Sequence, residues 1–459
     1  MDLQRALTSH MLDTEFSALP EEAIAVAKRS ILDTLGTWLA GSSLPEYAGL
    51  LELMRGTGGK EESTLIPWGD RIPFLNAILV NATLARARDF DAVHPATGIH
   101  PCATVIPTAL GLAEFMGGIS GQDFLAAVVL GTDVFCRMRL ADDKTAGLNG
   151  WSSDTYNPFG AAFTAGRLLK LSAKEMEGAL GLAYAQAAGG YQIFAPPGYI
   201  AVHQGLGARA GVMACLLAQR GIMGPDDSFE GRFGFYPLYL RGDYHPSKAL
   251  AGLGKDFESA QLVFKAYPCC LFTHGPVEAL KEILRANNID SGSIDHIIVK
   301  TNRSAFNLCC EPLAEKRRPP TRRSAMFSIP YILANYLVKR KVLFEDFEDL
   351  AEPAVLQLVS RIRPEVDPAL DMLGVSAAPT VVEIVLAGGE KLSARVDYIK
   401  GHPKNPVDFA GCVAKFRQCA SYSARHLTDR QLEEVIGSID HLEDVEDVRS
   451  IVGELMPGR

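Results

Sequence analysis

Five segments, at 104–116, 121–140, 160–170, 174–188 and 205–220, are so rich in alanine and glycine that they are apolar nearly all round. A helix with no polar face cannot lie on a surface and has to be enclosed by others. These segments therefore predict the interior of a large helical bundle rather than helices laid on a sheet. Start signals agree with this reading. Pro20-Glu21-Glu22 sets a proline and two acids at the positive end of a helix. Ile24, Ala27, Ile31, Leu35 and Trp38 follow at helical spacing, and Gly41 can close the C-terminus. Ser120-x-x-Asp123 and Ser172-x-x-Glu175 are capping-box patterns ahead of two of the apolar segments.

The pattern changes after residue 255. Gly275-Pro276 opens an amphipathic helix carrying Val277, Leu280, Ile283 and Leu284, and Ile294–Thr301 reads as a strand. A further helix is predicted over 324–338. Val381–Leu386 and Leu392–Val396 flank Gly388-Gly389 as a hairpin. Pro403–Pro406 ends the region, and Thr428-x-x-Gln431 caps a last long helix. The expected fold is mainly α: a large helical domain over 1–255 that 405–459 rejoins, with a smaller α+β domain inserted at 256–404. For 459 residues, two such domains fall within the usual range of about 150 residues each and upward.

Composition excludes several classes of function. Hydrophobic residues are 47% and charged residues 22%, which is the balance of a folded globular protein. A net charge of −9 leaves no sustained basic surface for a phosphate backbone, so nucleic acid is not an expected partner. The nine cysteines include the adjacent pairs Cys269–Cys270 and Cys309–Cys310 but no Cys-x-x-Cys. Adjacent cysteines do not readily close a relaxed disulfide, so reduced thiols and a cytoplasmic location are expected. The first ten residues hold no apolar run with a cleavage site. Gly178–Ala208 is uncharged and long enough to span a bilayer. Gly189-Gly190, Pro196-Pro197, Gln186, Gln192 and His203 interrupt it, so a buried helix and loop are expected there, with no membrane partner.

The densest polar cluster is Arg88-Asp89-Phe90-Asp91-Ala92-Val93-His94-Pro95-Ala96-Thr97-Gly98-Ile99-His100-Pro101. It lies between predicted helices at 76–87 and 104–116. Two carboxylates and two imidazoles on one loop suit proton transfer near neutral pH. Helix capping is the plainer alternative. Metal binding by Asp89, Asp91, His94 and His100 is a rival, although their spacing matches no standard metal motif.

The second cluster, Lys265-Ala266-Tyr267-Pro268-Cys269-Cys270-Leu271-Phe272-Thr273-His274, opens the inserted domain. A lysine before a Tyr-Pro turn, with His274 at a helix start, can hold and polarise a carboxylate. Lys265 reads equally well as a solvated surface residue. The two cysteines read as a reactive thiol or as small buried hydrophobes. His203, in Val202-His203-Gln204-Gly205, reads alone as a core histidine. The basic run Arg317-Arg318-Pro-Pro-Thr-Arg322-Arg323 is a solvated face or the edge of a carboxylate site.

Taken together, D-F-D…H-P-A-T…H-P and the motifs along the rest of the chain resemble the MmgE/PrpD superfamily, which includes 2-methylcitrate dehydratase, cis-aconitate decarboxylase and iminodisuccinate epimerase. Those further motifs are A-K-R-S-I-L-D-T-L-G (Ala27–Gly36), G-R-F-G-F (Gly231–Phe235), K-A-Y-P-C-C-L-F-T-H, F-S-I-P-Y (Phe327–Tyr331) and G-H-P-K-N-P (Gly401–Pro406). The resemblance implies a helical domain with a smaller lid domain, a homodimer, and a cofactor-free site between the domains acting on small di- and tricarboxylates. It places the loop aspartate on Asp89, the following histidine on His100 and the lid lysine on Lys265. The chain departs from the family pattern at Val93 and Ile200, at Ser152-Ser153-Asp154-Thr155-Tyr156, and at Cys270 where the decarboxylase branch carries a lid histidine. These departures argue against cis-aconitate decarboxylase itself and open a role for Tyr156 as a phenolic proton carrier.

The expected function is a cofactor-independent lyase, a dehydratase or decarboxylase, with Asp89, His100, Lys265 and Tyr156 as catalytic candidates. His94, Thr97, His203, Cys270 and His274 are the substrate-binding candidates. An epimerase or isomerase using the same proton abstraction, a non-catalytic carboxylate-binding dimer, and a metal-dependent hydrolase are the alternatives.

Overall fold

In a computed structural model that describes residues 2–142, 149–194, 199–371 and 378–456, the alanine- and glycine-rich segments are helices. They span Cys102–Met116, Gly121–Leu140, Asn157–Leu168, Ala173–Tyr184 and Tyr199–Ala218. Their small residues mark where backbones meet. A Cβ on Gly41 would lie 2.1 Å from the Leu84 carbonyl oxygen, and one on Gly205 2.1 Å from that of Leu79. The Glu21–Gly41 and Tyr199–Ala218 helices thereby lie directly on the Phe74–Arg86 helix. Gly211 permits the same approach to Pro158, whose carbonyl oxygen its Cβ would meet at 2.2 Å. Tyr199–Ala218 is the one described helix long and apolar enough to cross a membrane. Here it is a core helix, packed on Phe74–Arg86 and Asn157–Leu168. Pro196-Pro197, expected to interrupt this stretch, lie outside the described residues.

The expected caps form. Ser120 Oγ accepts from the Asp123 amide at 3.1 Å, and Ser172/Glu175 and Thr428/Gln431 make reciprocal capping boxes. Each satisfies amides that the first helical turn leaves without partners.

The chain divides into two compact units, Met1–Leu262 with Asp408–Arg459, and Val263–Val407. Residues 256–262 stay with the helical unit because its buried charges hold them. Arg137 donates to the Asp256 carbonyl, Asp133 accepts from the Glu258 amide at 2.6 Å, and the Glu258 carboxylate meets His94 at 3.0 Å. The returning Phe409–Ala420 helix lies against Glu21–Gly41, where a Cβ on Gly36 would be 3.2 Å from Phe416 Cα.

The helical unit also holds a short hairpin of β1 (Ser63–Thr64) and β2 (Arg71–Ile72). The second unit is built on β3 (Ile294–Thr301), β4 (Ile362–Val366), β5 (Thr380–Leu386) and β6 (Lys391–Val396), in the order β4-β3-β5-β6. β3 and β4 are parallel and the other pairs antiparallel. Ile297 and Val299 of β3 and Val382 and Ile384 of β5 share a core with Leu280 and Ile283 of the His274–Ala286 helix and Ile332 and Leu333 of the Ile329–Lys339 helix. β3 and the Gly388-Gly389 hairpin stand where the alternation predicts them. β4 was not predicted, because Pro364 reads against a strand. At the sheet edge a missing amide donor is tolerated. The helix predicted over 324–338 is two helices, Arg322–Met326 and Ile329–Lys339. The break falls where Ser328 caps the second by accepting from the Tyr331 amide at 3.1 Å, with Pro330 following.

Candidate active site

Residues 87–101 join the Phe74–Arg86 and Cys102–Met116 helices. Asp89 adopts a left-handed conformation (φ 50°) just past the helix end, and its amide donates to the Arg86 carbonyl at 3.2 Å. The chain turns back sharply enough for Asp89 Oδ1 to accept from Arg86 Nη1 at 2.5 Å. Asp91 Oδ1 lies 3.4 Å from the same nitrogen. Farther on, Gly98 (φ 70°) donates to the His94 carbonyl at 2.8 Å and His94 donates to that of Ile99 at 2.9 Å. This second turn returns His100 to the aspartates, with Nδ1 at 2.9 Å from Asp91 Oδ2.

The cluster is buried. Asp91 is inaccessible, while the His100 side chain keeps 12% of its surface. Burial works against the Arg86 charge, but Asp89, Asp91 and Asp154 outweigh it and raise the pKa of the guanidinium. Because a carboxylate only accepts, the Asp91 contact sets the proton of neutral His100 on Nδ1 and its lone pair on Nε2. A carboxylate behind an imidazole also stabilises the imidazolium that forms when Nε2 takes a proton. An imidazole held in this way can take up a proton at Nε2.

Asp154 enters from the Ser153–Tyr156 turn, where Ser152 Oγ accepts from its amide at 3.2 Å. His203 lies beside this turn. A Cβ on Gly189 would sit 2.7 Å from His203 Cε1 and 3.3 Å from Ser152 Oγ. Burial lowers the His203 pKa, with Asp154 opposing. The next residue, Gln204, donates to the His100 carbonyl at 3.0 Å and to Thr104 Oγ1 at 2.6 Å. Asp89, Asp91 and His100 are thus gathered around one cluster of the helical unit, with His203 of the same unit beside Asp154. Ligand atoms of Asp89, Asp91 and His100 lie within 4.8 Å of one another, a donor set that suits a cation. Arg86 already places positive charge against the two carboxylates.

Three other candidates take different places. His94 was expected to face substrate, but both its ring nitrogens are engaged within the protein, Nδ1 with Thr97 Oγ1 at 2.9 Å and Nε2 with Glu258 at 3.0 Å. His94 and Thr97 brace the loop. Burial raises the Glu258 pKa, yet His94 and Arg137 bring it below the usual carboxylate range. Tyr156 is fully buried, its hydroxyl 3.2 Å from Asp142 and its ring edge-on to Phe235. Burial first, then Tyr236 and Asp142, pushes its pKa well above the usual value. It is built to keep its proton rather than to carry one.

In the second unit Lys265 is buried, on a segment fastened by the G-H-P-K-N-P turn. The Phe264 amide donates to the Gly401 carbonyl at 3.1 Å. Gly401 has φ 91°, and a Cβ there would lie 1.9 Å from the Phe264 carbonyl oxygen. The turn is itself held by Glu278, whose carboxylate accepts from the Lys400 amide at 2.9 Å. Burial raises the Glu278 pKa to about 7, against the opposing pull of the Lys400 amide, Lys281 and Lys400. A carboxyl with a raised folded-state pKa contributes stability that is lost as pH rises from its unfolded value, about 4.3, through 7. Glu278→Gln is expected to flatten the fall in melting temperature between pH 5 and pH 8, measured by calorimetry.

Cys270 belongs to a buried thiol group, with Cys309 Sγ 3.6 Å from its sulfur and Cys269 Sγ 3.0 Å from Thr273 Oγ1. Burial pushes the Cys309 thiol far up. These cysteines act as core residues. His274 is buried as the first residue of its helix, with its ring 5.2 Å from that of Tyr267. In the basic run, Arg317 donates to the Ser360 and Ile362 carbonyls at 3.3 and 3.0 Å. Arg322 meets Glu348 at 3.5 Å and Arg323 lies over the Phe327 ring.

Sequence reasoning passed over Arg86 and Glu258. Arg86 stands three residues before Asp89, a spacing at which opposite charges meet on a helix, so a signal was present. Glu258 shows none.

Over 448 residues the chain is 26% identical to a cis-aconitate decarboxylase of Aspergillus terreus, covering 93% of this chain and 91% of the relative. A cis-aconitate decarboxylase-like protein of Aspergillus oryzae is also 26% identical, over 464 residues, 96% of this chain and 95% of its own. The pattern of the MmgE/PrpD N-terminal domain matches residues 5–247 and that of the C-terminal domain residues 267–441. With both domain patterns matched in order along most of its length, the chain belongs to the MmgE/PrpD family.

Proposed function

We propose that this protein is a cofactor-independent lyase that removes water or carbon dioxide from a small di- or tricarboxylate. The observation that carries the reading is the Asp91–His100 pair at the rim of a buried cluster, 2.9 Å apart with 12% of the imidazole exposed. Family membership and the relatives named as cis-aconitate decarboxylases support a lyase-type enzyme. In a dehydration, His100 Nε2 takes the proton from the carbon beside a carboxylate. The C–H electrons form the double bond as the C–O bond breaks, and the His100 imidazolium returns that proton to the departing β-hydroxyl, which leaves as water. In a decarboxylation, the bond to the departing carboxylate breaks and the resulting carbanion takes a proton from the His100 imidazolium. Either way, negative charge develops next to a substrate carboxylate, and a cation at that carboxylate stabilises it. We assign that role to Lys265, with His203 as a second contact for substrate.

The test is incubation with a panel of di- and tricarboxylates, beginning with cis-aconitate, read by proton NMR in deuterated buffer. A net product that has lost water or carbon dioxide is the expected result. Isotope exchange without net product would replace the lyase reading with an epimerase. Neither product nor exchange with any acid would leave a carboxylate-binding protein.

A further inference from the structure

The D-F-D loop is gripped from behind by a residue more than three hundred positions away along the chain. Lys415, on the Phe409–Ala420 helix, places Nζ 2.6 Å from Asp33 Oδ1 and donates to the Phe90 carbonyl oxygen at 2.6 Å. The ammonium also lies 3.8 Å from the centroid of the Phe90 ring. Asp33 is inaccessible and the Lys415 side chain is nine-tenths buried. Phe90 stands between the aspartate that holds Arg86 and the aspartate that holds His100. A buried ammonium with one carboxylate and one carbonyl as partners has little freedom, and the peptide it holds inherits that restraint. Burial raises the Asp33 pKa, Lys415 lowers it and Asp91 raises it again. The pair and the loop acid are therefore within electrostatic reach of each other.

We propose that Lys415, with Asp33 as its counter-ion, is a positioning residue that fixes the Phe90 peptide and so keeps Asp91 on His100 Nδ1. Its consequence for turnover rests on the lyase reading above, whereas its consequence for the state of His100 does not. The two are separated by measuring both.

The double variant Asp33→Leu/Lys415→Met removes the pair without changing net charge. A buried pair replaced together by apolar residues is tolerated far better than one broken singly. In nitrogen-15 NMR of the full chain, the His100 titration midpoint is expected to fall by about one pH unit, as the imidazolium loses its carboxylate. With an accepted acid, kcat is expected to fall about a hundredfold, the effect of a displaced reacting group, while KM changes by less than about threefold. Lys415→Arg, which keeps a cation facing Asp33 and Phe90, is expected to recover most of both.

A His100 midpoint and a kcat both equal to those of the unmutated protein would overturn the proposal and leave Lys415 as a tie for the C-terminal helix. If the double variant does not fold, Lys415→Gln is put through the same titration with the same two outcomes. If no acid is turned over, the lyase reading fails while the His100 midpoint still decides this one.

Discussion

Replacing His100 with alanine lowers turnover of the accepted acid about a hundredfold or more, the range for a general acid–base group. The substitution takes away the imidazole but leaves the backbone that Gln204 holds at the His100 carbonyl, so the loop keeps its course and circular dichroism is expected to match the unmutated protein. Asp91→Asn tests the other half of the pair. An amide can donate to Nδ1, which permits the wrong tautomer, and a loss of similar or greater size is expected. Lys265→Ala is expected to lower kcat/KM by about a hundredfold or more, as an unpaired substrate carboxylate costs both binding and carbanion stabilisation. Steady-state kinetics near unmutated values in both His100→Ala and Lys265→Ala would refute the catalytic assignment.

Arg86→Met is expected to cost about 3–5 kcal/mol of stability at neutral pH, because it leaves Asp89 and Asp91 buried without their shared cation. Burial without a nearby cation favours the protonated form of a carboxyl group. The penalty is therefore full where both acids are ionised and is relieved as pH falls and they take up protons. Urea unfolding at pH 7.5 and at pH 5 checks this, with the smaller deficit expected at pH 5. Equal midpoints for variant and unmutated protein at pH 7.5 would show that the guanidinium does not hold these acids.

Much of the fold was legible because its signals are local. Apolar periodicity, the Ser120, Ser172 and Thr428 caps and the Gly388-Gly389 turn act over a few residues, and each element formed close to its predicted range. The errors fell where a neighbour overrides local preference. Pro364 sits in a strand only because the strand is an edge, and residues 256–262 belong to the helical unit only because Arg137, Asp133 and His94 reach them. The site divides in the same way. Asp89, Asp91 and His100 lie within a dozen residues, so their meeting could be anticipated. The opposite fate of His94 in the same loop could not, since it depends on a glutamate far along the chain.

The amino-acid sequence alone determined most of the segments that become helix or strand, and which short loop concentrates acids and imidazoles. Hydrogen-bonding periodicity, caps and turn geometry are properties of adjacent residues. Tertiary structure alone decided which of those side chains belong to the cluster: Arg86 neutralising two buried acids, Tyr156 kept protonated against Asp142, Lys415 holding a peptide three hundred residues back. Charge interactions depend on distance and burial in space, and neither can be read from position along a chain.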